Sequence, residues 1–214
     1  MAADPIARNL PEPVLRLLRA ARHQARLWHE EPTYRAVIRA RVMRPYRVWQ
    51  FAHYGRYSVV HKPAWVYGPH KISIGERVLI MEGAWLSAER LTWGDPEPSI
   101  VIGDGSAMRA WVTLSASSRI EIGSDVVFGA QCTVVDCDHT WRAGRPNVLH
   151  NPVDTEPISI GDGTWLGDRV TVLKGARIGE RCAIGAHSVV RGEIPDGSVA
   201  AGIPARVIGR SADL

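Results

Sequence analysis

From Ile160 onward an aliphatic residue recurs at every sixth position, at Ile160, Leu166, Val172, Ile178, Ile184 and Val190. Neither helical spacing nor simple alternation produces a period of six. A short strand followed by a tight bend does, if three such units close a triangular coil of about 18 residues with the aliphatic side chain always inward. The fifth position of each unit is small or apolar, as in Thr164, Val170, Ala176, Cys182, Ser188 and Ile194. The same phase is legible earlier, at Ile74, Ile80 and Leu86, then at Ile102, Met108 and Leu114. After an eight-residue step it resumes at Ile122, Phe128 and Val134. The expected fold class is an all-β solenoid, a parallel β-helix over residues 63–194 followed by a C-terminal tail over 195–214.

Two stretches interrupt the repeat. Residues 87–99 hold two prolines, and residues 139–157 break the pattern just after His139. Loops projecting from regular coils are either tolerated insertions or the places where sites are built. A solenoid also has open ends that must be covered. Residues 1–62 carry 12 Lys+Arg against 4 Asp+Glu, which leaves 14 against 18 for the rest of the chain's 26 and 22. Apolar positions from Val14 to Trp28 and from Tyr34 to Trp49 have helical spacing. Pro32 separates the two stretches, and Pro45 is expected to end or kink the second. This basic segment is expected either to cap the first coils, burying Leu17, Leu18, Val37 and Ile38, or to contact anionic lipid through residues 1–60. No DNA-binding motif accompanies the charge, so nucleic acid is not an expected partner.

Cys132, Cys137 and Cys182 form no C-x-x-C pair and are odd in number, so they read as reduced thiols. Arginines at 16, 19, 22 and 26 interrupt the apolar residues of the N-terminus, leaving no signal-peptide or membrane-span pattern. The expected location is cytoplasmic, with peripheral contact at the inner face of the membrane if the basic segment binds lipid.

Beyond the repeat, Asp138-His139 precedes a loop, Pro157-Ile158-Ser159-Ile160-Gly161-Asp162 leads into Trp165-Leu166-Gly167, and the chain runs from Ile194-Pro195-Asp196-Gly197 to Gly202-Ile203-Pro204-Ala205-Arg206. With these motifs, residues 66–210 resemble the hexapeptide-repeat acyltransferases, in particular the branch of galactoside, maltose and exopolysaccharide O-acetyltransferases. The resemblance implies a left-handed coil, a homotrimer, and acetyl-CoA as co-substrate in a groove between subunits. It implies no metal. It places the catalytic base at His139, and Trp165 at the active-site wall.

A sugar hydroxyl is a poor nucleophile at neutral pH, and imidazole, with a pKa of about 6.5, suits removal of its proton. The other ring nitrogen is expected to be held by a carbonyl or a carboxylate; Asp136 and Asp138 lie nearby, but alternate side chains of a strand point opposite ways, so nearness alone does not assign the role. By resemblance the oxyanion donor follows Gly167, at Asp168. A carboxylate aimed at an oxyanion repels it, so either the backbone N–H of Asp168 acts or the correspondence fails there. Ala186, Arg191 and Arg206 match positions that hold CoA, Arg191 standing where a threonine is common; Arg206, together with Arg210, is expected at the phosphates of the nucleotide end, a solvated surface arginine being the alternative for each. Where galactoside acetyltransferases carry acceptor-binding asparagine and aspartate, this chain has Arg109 and Ser117, which points away from a galactoside and toward an acidic or phosphorylated acceptor. His150 is either a further acceptor contact or a surface histidine.

The expected activity is acetyl-CoA-dependent O-acetylation of a sugar or glycan hydroxyl. The alternatives are N-acetylation of an amino sugar or nucleotide sugar, which needs the same base, and transfer of longer acyl groups. A γ-type carbonic anhydrase shares the coil, but its zinc-binding histidines are missing around His139.

Overall fold

The computed structural model describes residues 11–30, 32–88, 97, 99–140 and 151–210. Two helices, α1 (Glu12–Glu30) and α2 (Pro32–Gln50), precede a coil of short strands that stack into three parallel sheets. The first sheet holds residues 53–54, 72–74, 100–102, 120–122, 158–160, 177–178 and 193–194, in that order. The second holds 59–60, 79–80, 107–108, 127–128, 165–166, 183–184 and 198–202, and the third 65–67, 85–88, 113–116, 133–135, 171–173 and 189–190. Each coil visits the three sheets in turn. That order is the parallel β-helix required by the period of six.

Register keeps the repeat in column: Ile102, Ile122, Ile160 and Ile178 pair in succession, as do Met108, Phe128, Leu166 and Ile184. All of these are buried, and Phe128 is the largest fully buried side chain. The fifth-position residues are buried as well, and their polar members have a second task. Ser106 Oγ donates to Gly123 O at 2.9 Å and accepts Val126 N–H at 3.0 Å, and Thr164 Oγ1 does the same with Gly179 O and Cys182 N. A buried hydroxyl there satisfies backbone groups of the next coil that a methyl would leave unpaired.

The boundaries differ from the expected ones in three places. Helix stops at Gln50 and the coil begins at His53, ten residues before 63, because two-residue strands in the first coil are too short for their period to show. Pro45 lies inside α2 without ending it. The stretch after Pro195 is not a loose tail: 198–202 adds a last parallel strand, and 205–210 folds back antiparallel along it. That return strand covers the open edge of the second sheet.

The N-terminal segment covers the other end through α2, which packs on the first strands at 53–54 and 59–60. Val37 and Ile38 are half-buried, but Leu17 is 71% exposed, so the expected burial of Leu17 does not occur. The side chain of Leu18 lies outside the described residues. Among the described residues no helix is long and apolar enough to cross a membrane.

Candidate active site

The break after residue 134 is a hairpin rather than a plain loop. Residues 137–139 pair antiparallel with 153–155, placing His139 opposite Val153 and Asp138 opposite Asp154. The side chain of His139 is exposed. Two carboxylates directly across an antiparallel pair repel each other. Lys174, from the next coil, relieves that: its Nζ bonds Asp154 and stands 3.6 Å from Asp138. These acids hold the lysine above its ordinary pKa, the Asp154 hydrogen bond being the largest cause. The far end of the hairpin is closed by Asn151, whose Nδ2 donates to Thr140 O at 2.7 Å, and by Thr140 Oγ1 donating to Pro152 O at 2.8 Å. Residues 141–150, including His150, lie outside the described residues.

Of the two aspartates beside His139, Asp136 is committed to backbone groups. Asp136 is fully buried and accepts the backbone N–H groups of Ser117 and Ser118, each at 2.7 Å. Burial pushes its carboxyl above the usual value, and those amides oppose the rise. Asp138 faces Lys174. Ser117 therefore sits beside the base of the hairpin, tied there through its backbone.

Asp168, the expected oxyanion position, lies at another corner of the prism. Asp168 Oδ1 accepts Ala130 N–H of the preceding coil at 2.7 Å. Asp104, Asp162 and Asp196 clamp corners in the same way, so the Asp168 carboxylate is one of a series of corner clamps. In the next coil the aligned residue is Ala186, which has no carboxylate to return the bond, and among the described residues the Asp168 N–H has no acceptor. Gly167 is required there because a Cβ would stand 2.7 Å from Ala186 N. Arg109 is on the same corner, two coils or about 10 Å below Gly167.

Trp165 is 53% exposed on the outer surface of the second sheet, next to Val127 and Ala183, and does not pack between coils. Arg191 follows strand 189–190, on the hairpin's corner. Arg206 and Arg210 lie on the return strand, and Arg206 Nη1 donates to Ala205 O at 2.9 Å. One copy therefore brings His139 and Ser117 to one corner, with Arg191 above them, and Arg109, Gly167, Asp168 and Ala186 to another. The width of the third sheet, about 17 Å, separates the two groups. Among the described residues no three His, Cys, Asp or Glu side chains gather as a metal site.

Residues 157–192 match the family model described as bacterial transferase hexapeptide (six repeats). Those residues carry the hexapeptide repeat of bacterial transferases. This hexapeptide-repeat protein is similar to a probable acetyltransferase of Mycobacterium tuberculosis, Rv3034c, at 35% identity over 127 residues, 59% of this chain and 42% of that protein. It is 28% identical over 162 residues to the putative lipopolysaccharide biosynthesis O-acetyl transferase WbbJ of Escherichia coli, covering 72% of this chain and 80% of that one. With the galactoside O-acetyltransferase of E. coli it shares 35% over 126 residues, 50% and 62% of the two chains. The match thus spans less than two thirds of the mycobacterial and galactoside enzymes. The fold recurs in AntD, an N-acyltransferase from Bacillus cereus in complex with dTDP and coenzyme A (TM-score 0.64, 22% identity, 78% of this chain and 88% of that one). It recurs too in a galactoside acetyltransferase in complex with coenzyme A (TM-score 0.55, 22% identity, 94% and 84%).

Lys174 and Asn151, which brace the hairpin that carries His139, are residues that sequence reasoning did not single out. The signal was the pair of acids, Asp138 and Asp154, whose opposition only a hairpin register reveals.

Proposed function

We propose that this hexapeptide-repeat protein is an acyl-CoA-dependent O-acetyltransferase acting on a sugar or glycan hydroxyl, with His139 as general base. The observation that carries the reading is the placement of His139: exposed, directly after Asp138, on a hairpin braced by Lys174 and Asn151 where the coil is interrupted. In the reaction a ring nitrogen of His139 takes the hydroxyl proton as the oxygen attacks the thioester carbon. The carbonyl oxygen becomes an oxyanion, the C–S bond breaks as it collapses, and the proton passes to the leaving CoA thiolate. The Asp168 N–H, which has no acceptor among the described residues, is the oxyanion donor, and its carboxylate stays in the corner.

The site is built between copies. The separation of His139 from Trp165 and Asp168 within one chain supports this, and so does surface chemistry. Outward residues of the second sheet beyond the strand that α2 covers are Leu79, Ala107, Val127, Trp165, Ala183 and Val199, an apolar row. Those of the first sheet include Glu121, Arg177 and Glu193, a charged row suited to water. A left-handed coil assembled as a homotrimer sets the second sheet of one copy against the His139 edge of the next. Acetyl-CoA lies in that groove, with its pantetheine passing Ala186 and its phosphates met by Arg206 and Arg210, and by Arg191 from a facing corner. Ser117 and Arg109 are acceptor contacts, Arg109 favouring an acidic or phosphorylated glycan. The reaction takes place in the cytoplasm, where acetyl-CoA is available.

The test is release of free thiol from acetyl-CoA and longer acyl-CoAs against a panel of sugars, amino sugars and nucleotide sugars, comparing wild type with His139→Ala. Turnover on hydroxyl acceptors, abolished in the variant, is the expected result. Preference for amines would replace O- with N-acylation, and undiminished turnover by His139→Ala would remove the proposal.

A further inference from the structure

Between α2 and the first coil lies a cavity of about 310 Å³ that the acyl-transfer reading does not use. Arg39, Met43 and Arg47, spaced at i, i+4 and i+8 on one side of the helix, form one wall, and Val60, His61 and Lys62 of the coil form the other. Arg39, Arg47 and Lys62 bring three permanent positive charges to one small space, and no carboxylate lines it among the described residues. Arg47 is held in place by a long hydrogen bond from Nη2 to Val60 O, 3.4 Å, and by the ring of Phe51, with its guanidinium carbon 5.9 Å from the centroid. His61 Nδ1 is buried without a hydrogen bond, and Glu82 Oε2 is 3.6 Å from it. Like charges converging around an empty volume repel each other, and an anion in that volume reverses the sign of the interaction.

The rest of the lining is apolar, from Met43, Val60 and the Tyr54 ring. Burial raises the Tyr54 pKa, and the charges of Arg47 and Arg44 oppose the rise, so the positive field reaches the cavity floor. Adjoining the cavity on α2, Val42, Tyr46 and Trp49 stand at i, i+4 and i+7 and are 73%, 59% and 91% exposed. A stripe of that kind beside a basic site suits the interfacial layer of a membrane, where tryptophan and tyrosine are favoured.

We propose that this cavity binds the phosphate of an anionic lipid, with Arg39, Arg47 and Lys62 holding the phosphate oxygens and Val42, Tyr46 and Trp49 entering the interface. Guanidinium forks match phosphate geometry, and the apolar wall takes the first carbons beyond the head group. The site is separate from the His139 corner, and its test reads binding, so it stands or falls independently of acyl transfer.

The experiment measures binding of full-length protein to dioctanoyl phosphatidate, dioctanoylglycerol and inorganic phosphate by calorimetry. Co-sedimentation with phosphatidylcholine vesicles, with and without phosphatidylglycerol, provides the second measurement. Arg39 and Lys62 are exposed, so Arg39→Gln with Lys62→Gln leaves the fold intact. This double variant is expected to bind the phosphatidate about 10- to 30-fold more weakly. Trp49→Ser is expected to lower vesicle recovery while leaving affinity for the monomeric probe unchanged. Equal affinity of the double variant, or wild-type binding of dioctanoylglycerol as tight as phosphatidate, overturns the site. Inorganic phosphate bound as tightly as phosphatidate, or vesicle recovery indifferent to Trp49→Ser, overturns the lipid as its source.

Discussion

The Asp136 carboxylate accepts the backbone N–H of Ser117 at 2.7 Å, joining the coil that carries the His139 hairpin to the coil before it. The bond fixes the corner from which His139 projects. Because burial holds the Asp136 pKa above its ordinary 3.8, ionisation costs folding stability: the cost is absent below the unfolded value and complete above the raised folded one. Wild type should therefore gain on Asp136→Asn as pH falls from neutral through the folded pKa toward 3.8. Denaturation midpoints of both proteins across that range check this, and a difference that does not change with pH would contradict it.

Replacing His139 with alanine should lower turnover by about 10²- to 10⁴-fold with little change in melting temperature, since the side chain is exposed. Thiol release and thermal melts on the same preparation separate the two effects.

The carboxylate of Asp168 serves the corner, and the proposed mechanism asks only for its N–H. Asp168→Asn should keep activity within about tenfold, and Asp168→Ala should cost about 1 kcal/mol of stability through the lost bond to Ala130. Loss of turnover of about 10²-fold or more in the Asn variant would show that the carboxylate itself takes part.

Lys174→Met leaves Asp138 and Asp154 facing each other without a counter-charge. The hairpin should loosen, with faster proteolytic cleavage within residues 139–157 and a fall in kcat of up to about 10²-fold. Cleavage at the wild-type rate would mean that the lysine does not brace the hairpin.

Cys132 is buried, and desolvation pushes its thiol pKa up to about 11, so it should resist thiol reagents in the native protein. Half-buried Cys137 should react first; mass mapping of labelled peptides identifies the site.

The parallel coil, its core columns and the places where it is interrupted are legible in the order of residues alone. A side chain at every sixth position has only one way to face a common interior, and that constraint is local. Ile160 through Val190 could be read off in this way, and so could the hydroxyl or small residue at the fifth position. Only the tertiary structure decided which corner each polar residue occupies. Corner position depends on the accumulated phase after insertions such as 139–157, and on register between coils that are distant in sequence. That is why Asp136 turned out to clamp Ser117 rather than orient His139, and why Lys174 emerged as the brace between two acids. It is also why Trp165 and Asp168 stand a sheet's width from the histidine they were expected to serve, and hence why the proposed site needs a second copy of the chain.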